Sequence, residues 1–148
     1  MTTELEILQG LSKVLERDLN DYLSIVKMDK NNIDVAFPDI DNMRKPVMIF
    51  LQPNYSDYDA LTYTSDQSNF TLSLFIVAKR DKPSVLQDKV FDVYDGVYRL
   101  LKKNNTLDSL VGYVVVQSMD YYPQLTGTED VKGIEVSINA VFEKDWEC

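Results

Sequence analysis

The sequence predicts an α+β fold in which two amphipathic helices pack on one face of a mostly antiparallel sheet of about five strands. Two segments with helical periodicity and five strand-like segments support this prediction, in the order helix, three strands, helix, two strands. The chain has 148 residues, 45% of them hydrophobic, which is enough for one core. No linker, repeat or low-complexity tract divides it, so we expect a single domain over residues 1–148.

The first helix is predicted over the first 27 residues, where apolar side chains recur three and four positions apart. The stripe consists of Leu8, Leu11, Leu15, Leu19, Tyr22 and Val26. Thr3 and Glu6 have the spacing of a capping box, which indicates that the helix begins beside them.

The next three segments have strand patterns. Residues 33–37 alternate apolar and polar side chains until Pro38, and residues 46–51 form a continuous apolar run. Because that run has no polar face, it predicts a central strand covered on both sides. Residues 69–78 form the clearest strand, which ends in charged residues and Pro83.

The second helix is predicted over residues 84–103, where a broad apolar stripe runs from Leu86 to Leu101. Ser84 and Gln87 have capping-box spacing and follow Pro83 directly. Residues 106–111 have room for one further helical turn.

Two strands complete the predicted sheet. Residues 113–119 are rich in β-branched side chains, and the tract Asp120 to Pro123 is expected to end that strand. Residues 125–132 have the composition of a hairpin connection. Residues 134–142 alternate between an apolar face and a polar face, as in a strand with one side in water.

Residues 53–68 are predicted to form a long loop, because no regular period runs through them. One interpretation is an ordinary surface loop, and the other is a loop that contacts a partner protein, since tyrosine offers a large contact area with a polar tip. The candidate protein-contact residues are Tyr55, Asp57, Tyr58, Asp59 and Tyr63, together with Tyr121 and Tyr122 at the end of the fourth strand segment.

The composition argues against an enzyme. The chain has no histidine, and its single cysteine is the last residue, Cys148, so no imidazole-based nucleophile system or Cys/His zinc site can form. We predict no catalytic residue, no cofactor and no metal site. Asp120, Lys132 and Glu135 are the residues from which a metal-dependent nuclease site would have to be built, and Glu135 falls on the face predicted to meet solvent.

The charge balance restricts the partners. The formal net charge of −9 argues against binding to the nucleic-acid backbone and to anionic membranes, because both need clustered positive charge. No segment has the length and apolarity of a membrane span, and no signal peptide is predicted. With one cysteine, no oxidising compartment is required.

The element order resembles that of the tail terminators, the small tail-completion proteins of long-tailed bacteriophages, with related head–tail connector proteins close behind. The resemblance extends from about Leu5 to Trp146 and includes the segments FTLSLFIVAKR, YDGVYRLLKKN and GIEVSINAVFEKDW. It implies a structural virion protein that forms a hexameric ring at the head-proximal end of a phage tail, ends tube polymerisation and provides the surface to which the head attaches. The implied partners are further copies of the chain, the tail tube protein and neck or connector proteins. The implied location is the tail–neck junction, with assembly in the host cytoplasm.

The resemblance also implies that DNA passes through the ring without specific binding, which agrees with the acidic composition. Two alternatives remain open at this point. One is a phage neck or head-closure ring protein, and the other is a cellular α+β ligand-binding or adaptor domain. A concave apolar pocket would favour the adaptor, whereas two separate complementary edges would favour a ring subunit.

Overall fold

The structure, a computed structural model, describes residues 2–122 and 131–145. Its helices and strands are α1 (Glu4–Asp18), β1 (Ile33–Asp34), β2 (Val47–Ala60), β3 (Ser65–Lys79), α2 (Pro83–Lys103), β4 (Tyr113–Tyr122) and β5 (Val131–Asp145). The strands form one sheet in the order β1-β2-β3-β5-β4, in which only the β1–β2 pair is parallel. The predicted α+β class, with two helices and a mostly antiparallel sheet of five strands, is confirmed.

The main core lies between the two helices and one face of the sheet, which we call the inner face. Alternate residues of β3 and β5 supply it, since successive side chains of a strand point to opposite faces. These residues are Phe70, Leu72, Leu74, Ile76 and Ala78 in β3, and Ile134, Val136, Ile138, Ala140 and Phe142 in β5. Both apolar faces match the predicted alternation.

A second, smaller core covers part of the opposite face, which we call the outer face. There the segment before β2 places Ile40 and Met43 against Met48, Phe50, Phe75, Val77 and Val131. The Lys79 ammonium group donates a 2.5 Å hydrogen bond to the Ile40 carbonyl and holds this segment in place. The apolar run at residues 47–51 is therefore buried on both faces, as predicted.

The first helix is shorter than the predicted 27 residues. It ends at Asp18, one 3₁₀ turn follows at Leu19–Tyr22, and the chain then leaves the helix axis. The Asn20 side chain donates to the Met28 carbonyl at 2.6 Å and accepts from the Met28 amide at 2.8 Å, which closes this loop. Tertiary hydrogen bonds thus override a periodicity that by itself favours a longer helix.

The first strand is also shorter than predicted. Only Ile33 and Asp34 pair with β2, while Val35 and Phe37 are exposed. The chain leaves the sheet at this point and crosses to the outer face, where the Phe37 ring lies 6.4 Å from that of Phe75.

The predicted loop at residues 53–68 is wrong. β2 continues to Ala60 and β3 begins at Ser65, so these residues form a β-hairpin. Pro53 is tolerated because no other described strand pairs with the far side of β2 there, and the register shifts between Pro53 and Tyr55. Proline and mixed polarity gave this segment the composition of a loop, although pairing with β3 makes it a strand.

The ends of the second helix differ in detail from the prediction. Lys82 occupies the N-cap without a side-chain hydrogen bond, and Pro83 is the first helical residue, so the predicted Ser84–Gln87 capping box is absent. Residues 106–111 form a turn, but a left-handed one: Leu107, Asp108 and Ser109 have φ values of 50°, 59° and 70°. Such angles are unusual away from glycine.

Strand β4 is longer than predicted, because Asp120 and Tyr121 remain paired with Glu135 and Ile134 of β5. The tract expected to end the strand therefore continues it to Tyr122. Of the predicted hairpin connection, residues 125–130 lie outside the described residues, and Val131 and Lys132 already belong to β5.

Candidate protein-contact surface

The hairpin of residues 53–69 holds five of the seven candidate contact residues, and we call it the arm. Two hydrogen bonds close its turn: the amides of Leu61 and Thr62 donate to the Ser65 carbonyl at 2.9 and 3.0 Å. The end of β5 pairs with β3 as far as Ser65 opposite Asp145. The arm is therefore a continuation of the sheet, held in its plane by a third strand.

Tyr55, Asp57 and Asp59 lie together on the outer face of the arm. Their partners across the ladder are Thr71, Asn69 and Gln67, whose side chains belong to the same face. All three candidate residues are exposed. Asp57 and Asp59 make no ion pair within the described part of the chain. The outer face of the arm thus presents an aromatic ring beside two carboxylates that have no ion pair among the described residues.

Tyr58 lies on the inner face and has a structural contact. Its hydroxyl donates a 2.6 Å hydrogen bond to Glu4 Oε2, and the Lys144 ammonium group lies 5.5 Å from the centre of its ring. Lys144 also bonds Glu4 Oε1 at 2.7 Å, and Ser56 donates to the same carboxylate at 3.3 Å. These contacts tie the arm to the first turn of α1 and to the end of β5.

Two pKa shifts follow from these contacts. Partial burial by itself raises the pKa of Glu4, but the hydrogen bonds from Lys144 and Tyr58 outweigh it, and the net pKa lies below the ordinary 4.5. The hydrogen bond to Glu4 raises the pKa of Lys144 above 10.5. Both groups are therefore charged at neutral pH.

The tip of the arm is apolar and open to solvent. Tyr63 is fully exposed, and Leu61 retains 53% of its accessible surface. A large aromatic side chain that stays fully exposed among the described residues buries no area there and so adds little to the stability of the fold. Such a residue fits a contact with another molecule.

Tyr121 and Tyr122 do not join the arm residues. Tyr121 pairs with Ile134 at the other end of the sheet, its ring lies 5.6 Å from Phe91, and its hydroxyl lies 3.4 Å from Gln87 Oε1. This tyrosine thus helps to attach β4 to α2. Tyr122 ends β4 opposite Gly133, and its side chain falls outside the described part.

A second exposed surface, which the sequence did not indicate, lies between the C-terminal half of α2 and strand β4. We call it the α2–β4 groove; its volume is about 190 Å³, and its lining is Tyr98, Leu101, Lys102, Asn105, Tyr113, Val114, Val115 and Val116. Tyr98, Tyr113 and Val115 are 38%, 46% and 42% exposed. The groove exists because β4 is the outermost strand, a position that depends on β5 inserting between β3 and β4.

The three residues considered for a nuclease site do not lie on one face of the sheet. Asp120 and Glu135 are paired across β4 and β5 on the outer face, and Ser73 donates to Glu135 at 2.9 Å. Lys132 belongs to the alternate, inner set of β5 positions. Among the residues that the structure describes, no cluster of three acidic or cysteine side chains is suited to hold a metal ion.

No helix in the described ranges combines the length and apolarity needed to cross a bilayer.

Comparison of the sequence with family models and with curated proteins gives no match. Among solved structures, the fold is similar to that of a chain in the structure titled "Virion of native gene transfer agent (GTA) particle". The TM-score is 0.51 with 10% sequence identity, over 93% of this chain and 95% of the other. At this identity the likeness shows a shared fold over most of both chains.

Proposed function

We propose that this chain is a structural virion protein that forms a ring at the head-proximal end of a phage tail. The ring ends polymerisation of the tail tube and provides the surface to which the head attaches. The observation that carries the proposal is the fold shared with a chain of a virion particle over nearly the whole length of both chains. The resemblance of the sequence to tail terminators supports the same role.

The arrangement of exposed surfaces supports a ring. The arm extends β2 and β3, whereas the α2–β4 groove lies at the opposite edge of the sheet. Two different surfaces on one subunit favour heterologous, head-to-tail contacts, and such contacts give closed rings when the rotation between neighbours closes. We propose a hexamer, with the tail tube protein and neck or connector proteins as the further partners.

The charge supports a passive passage for DNA. With a formal net charge of −9, a ring of these subunits attracts phosphate weakly, so DNA crosses it without specific binding. The proposed role needs no catalytic group, cofactor or metal. The site of action is the tail–neck junction of the virion, after assembly in the host cytoplasm.

The direct test combines electron microscopy with tube assembly. The purified chain is imaged by negative stain, and it is also added to the polymerising tail tube protein of the same particle. We expect rings with a central hole, located at one end of each tube, and a mean tube length that falls as the chain is added. Bovine serum albumin at the same concentration controls for crowding.

Two results would contradict the terminator role. Rings that bind the head connector but leave tube length unchanged would assign the chain to the neck or head closure. A chain that forms no ring and binds neither tubes nor connectors would favour the cellular adaptor domain.

A further inference from the structure

Among the described residues, the sheet edges along β2 and along β4 differ in how they are protected. On the β2 edge, beyond the short pairing with β1, the strand contains Pro53, a register shift, Asp57 and Asp59. Proline, bulges and charges are the usual means of preventing a strand edge from pairing with another chain. On the β4 edge, residues 113–119 contain no proline and no charge. β4 does have a register shift between Val116 and Ser118, and Asp120 lies nearer its end, so this edge is less protected than the β2 edge in proline and charge alone.

The α2–β4 groove beside this edge is too small for a typical small-molecule ligand. Its volume of about 190 Å³ is below the roughly 300 Å³ at which such sites begin, and it suits one large side chain. Tyr98 of α2 and Tyr113 of β4 both line it. In a chain with 24 acidic residues, its lining holds one cation, Lys102, and no carboxylate. The Lys102 ammonium group lies 5.4 Å from the centre of the Tyr98 ring.

The tip of the arm has the complementary properties. Tyr63 is fully exposed and is the kind of residue that anchors protein interfaces. Asp57 and Asp59 are exposed on the outer face of the same hairpin and make no ion pair in the described ranges. The arm cannot fold onto its own groove, because pairing with β5 keeps it in the plane of the sheet. Its complement must therefore lie on another copy.

We propose that Tyr63 at the tip of one subunit's arm inserts into the α2–β4 groove of the next subunit, where Asp59 faces Lys102. This contact specifies how neighbouring subunits bind in the proposed ring, and it rests on that proposal. It is heterologous, so every subunit gives its arm to one neighbour and receives an arm from the other. The aromatic ring supplies the buried area, and the charge pair fixes the orientation of the arm.

Covalent trapping tests the contact. In a Cys148→Ser background, Thr62→Cys places one thiol beside Tyr63, and Asn105→Cys places one at the groove, so both proposed contact side chains are kept. A short bismaleimide crosslinker is added to the chain that carries both cysteines. We expect a ladder of covalent oligomers, since each subunit has one thiol on its arm and one at its groove and can be linked to both neighbours. A mixture of the two single-cysteine chains should stop at the dimer.

Substitutions at the contact identify the residues responsible. Tyr63→Ala in the two-cysteine chain should slow crosslinking about thirtyfold or more, which is the loss expected for an aromatic hot spot. Tyr55→Ala removes an exposed tyrosine of the arm away from the tip, and it should leave the rate unchanged. Lys102→Glu should slow the reaction, and adding Asp59→Lys should restore it, because the pair is then reversed and again attractive.

Three results would overturn the contact. They are no ladder, covalent dimers formed by either single-cysteine chain alone, and a ladder that survives Tyr63→Ala. Dimers of a single-cysteine chain would indicate a symmetric interface instead. The outcome is separate from that of the proposed function: rings on tubes that persist with Tyr63→Ala reject only this contact, while a ladder without rings or tube binding rejects only the tail role.

Discussion

The Tyr58 hydroxyl donates a 2.6 Å hydrogen bond to the Glu4 carboxylate, which joins the arm to the first turn of helix α1 across 54 residues of sequence. The same carboxylate pairs with Lys144 at the end of β5. Glu4 itself is positioned by the start of the helix, where the Glu6 amide donates to the Thr3 hydroxyl at 3.2 Å. The direction of the arm thus depends on a capped helix terminus.

Tyr58→Phe should reduce stability because it removes this hydrogen bond and keeps the ring. We expect a loss of about 0.5–1.5 kcal/mol in the free energy of unfolding. For a chain of this size, each kcal/mol lowers the melting temperature by about 2–4 °C. Thermal unfolding followed by circular dichroism measures the change. Tyr55→Phe is the matched control, since the Tyr55 hydroxyl has no such bond; an equal loss for both variants would contradict the assigned contact.

Glu4→Gln should remove a pH-dependent part of the stability. The pKa of Glu4 lies below 4.5, so its ion pair stabilises the fold above that pH and loses its effect as the pH falls through the folded-state pKa. At pH 7 we expect a loss of about 0.2–1 kcal/mol, the range for ion pairs near the protein surface. Near pH 3 the difference from the parent chain should be smaller. Urea unfolding at both pH values measures it.

Glu6→Gln is the control for this pH dependence, because it removes the same charge from the same helical turn without touching Lys144. At alkaline pH the contribution of Lys144, the partner of Glu4, changes with pH in the opposite direction. The raised pKa of Lys144 means that its contribution is complete below 10.5 and is lost as the pH rises through the folded-state value. A Glu4→Gln effect that stayed constant from pH 3 to pH 7 would contradict the ion pair.

The parts of the fold that the sequence predicts correctly are those whose side chains follow one period. Phe70, Leu72 and Leu74 alternate with polar residues, and all three are buried against the helices. The arm was missed because Pro53 and mixed polarity gave it the composition of a loop, although Asp57 lies opposite Asn69 across a local hairpin; only the further pairing of Asn69 with Val141 is distant in sequence. Local composition carries no information on such pairing.

The candidate contact residues stay a prediction, and local sequence patterns could not rank them. Tyrosine content draws attention to the arm, but it does not separate Tyr63, which is fully exposed, from Tyr58, which bonds Glu4. Tyr58 lies on the inner face of β2 because of the register shift at Pro53, whereas Tyr63 lies in the turn between β2 and β3. The α2–β4 groove depends on strand order, which local sequence patterns do not determine.

Asp92→Ala should destabilise the loop that follows α1. The Asp92 carboxylate accepts hydrogen bonds from the amides of Ser24, Ile25 and Val26 at 2.8–3.3 Å. Without it, three amides of the chain lose their acceptor, and we expect a loss of about 2 kcal/mol in urea unfolding. Asp88→Ala, one turn earlier on the exposed side of α2, is the control and should change the stability little. Equal effects would show that helix charge, and not the amide contacts, is responsible.

The chain should bind duplex DNA only weakly. Its densest basic cluster is Lys79, Arg80 and Lys82. Part of the positive charge there already has hydrogen-bond or ion-pair partners within the chain. The Lys79 ammonium group donates to the Ile40 carbonyl, and Asp81 accepts from the Lys82 amide and pairs with Lys89 at 3.3 Å. We expect a dissociation constant weaker than the roughly 10⁻⁴–10⁻⁶ M of ordinary non-specific binders at physiological salt. Fluorescence anisotropy with a labelled duplex measures it.

Asp81→Lys is the positive control for that titration, because it creates four consecutive basic residues at positions 79–82. The variant should bind measurably more tightly, and its affinity should fall more steeply with salt, by about 0.9 in the logarithmic slope for each phosphate newly contacted. Micromolar or tighter binding by the parent chain, with a steep salt dependence, would contradict a passive passage. The basic cluster would then contact the phosphate backbone despite the net charge of −9.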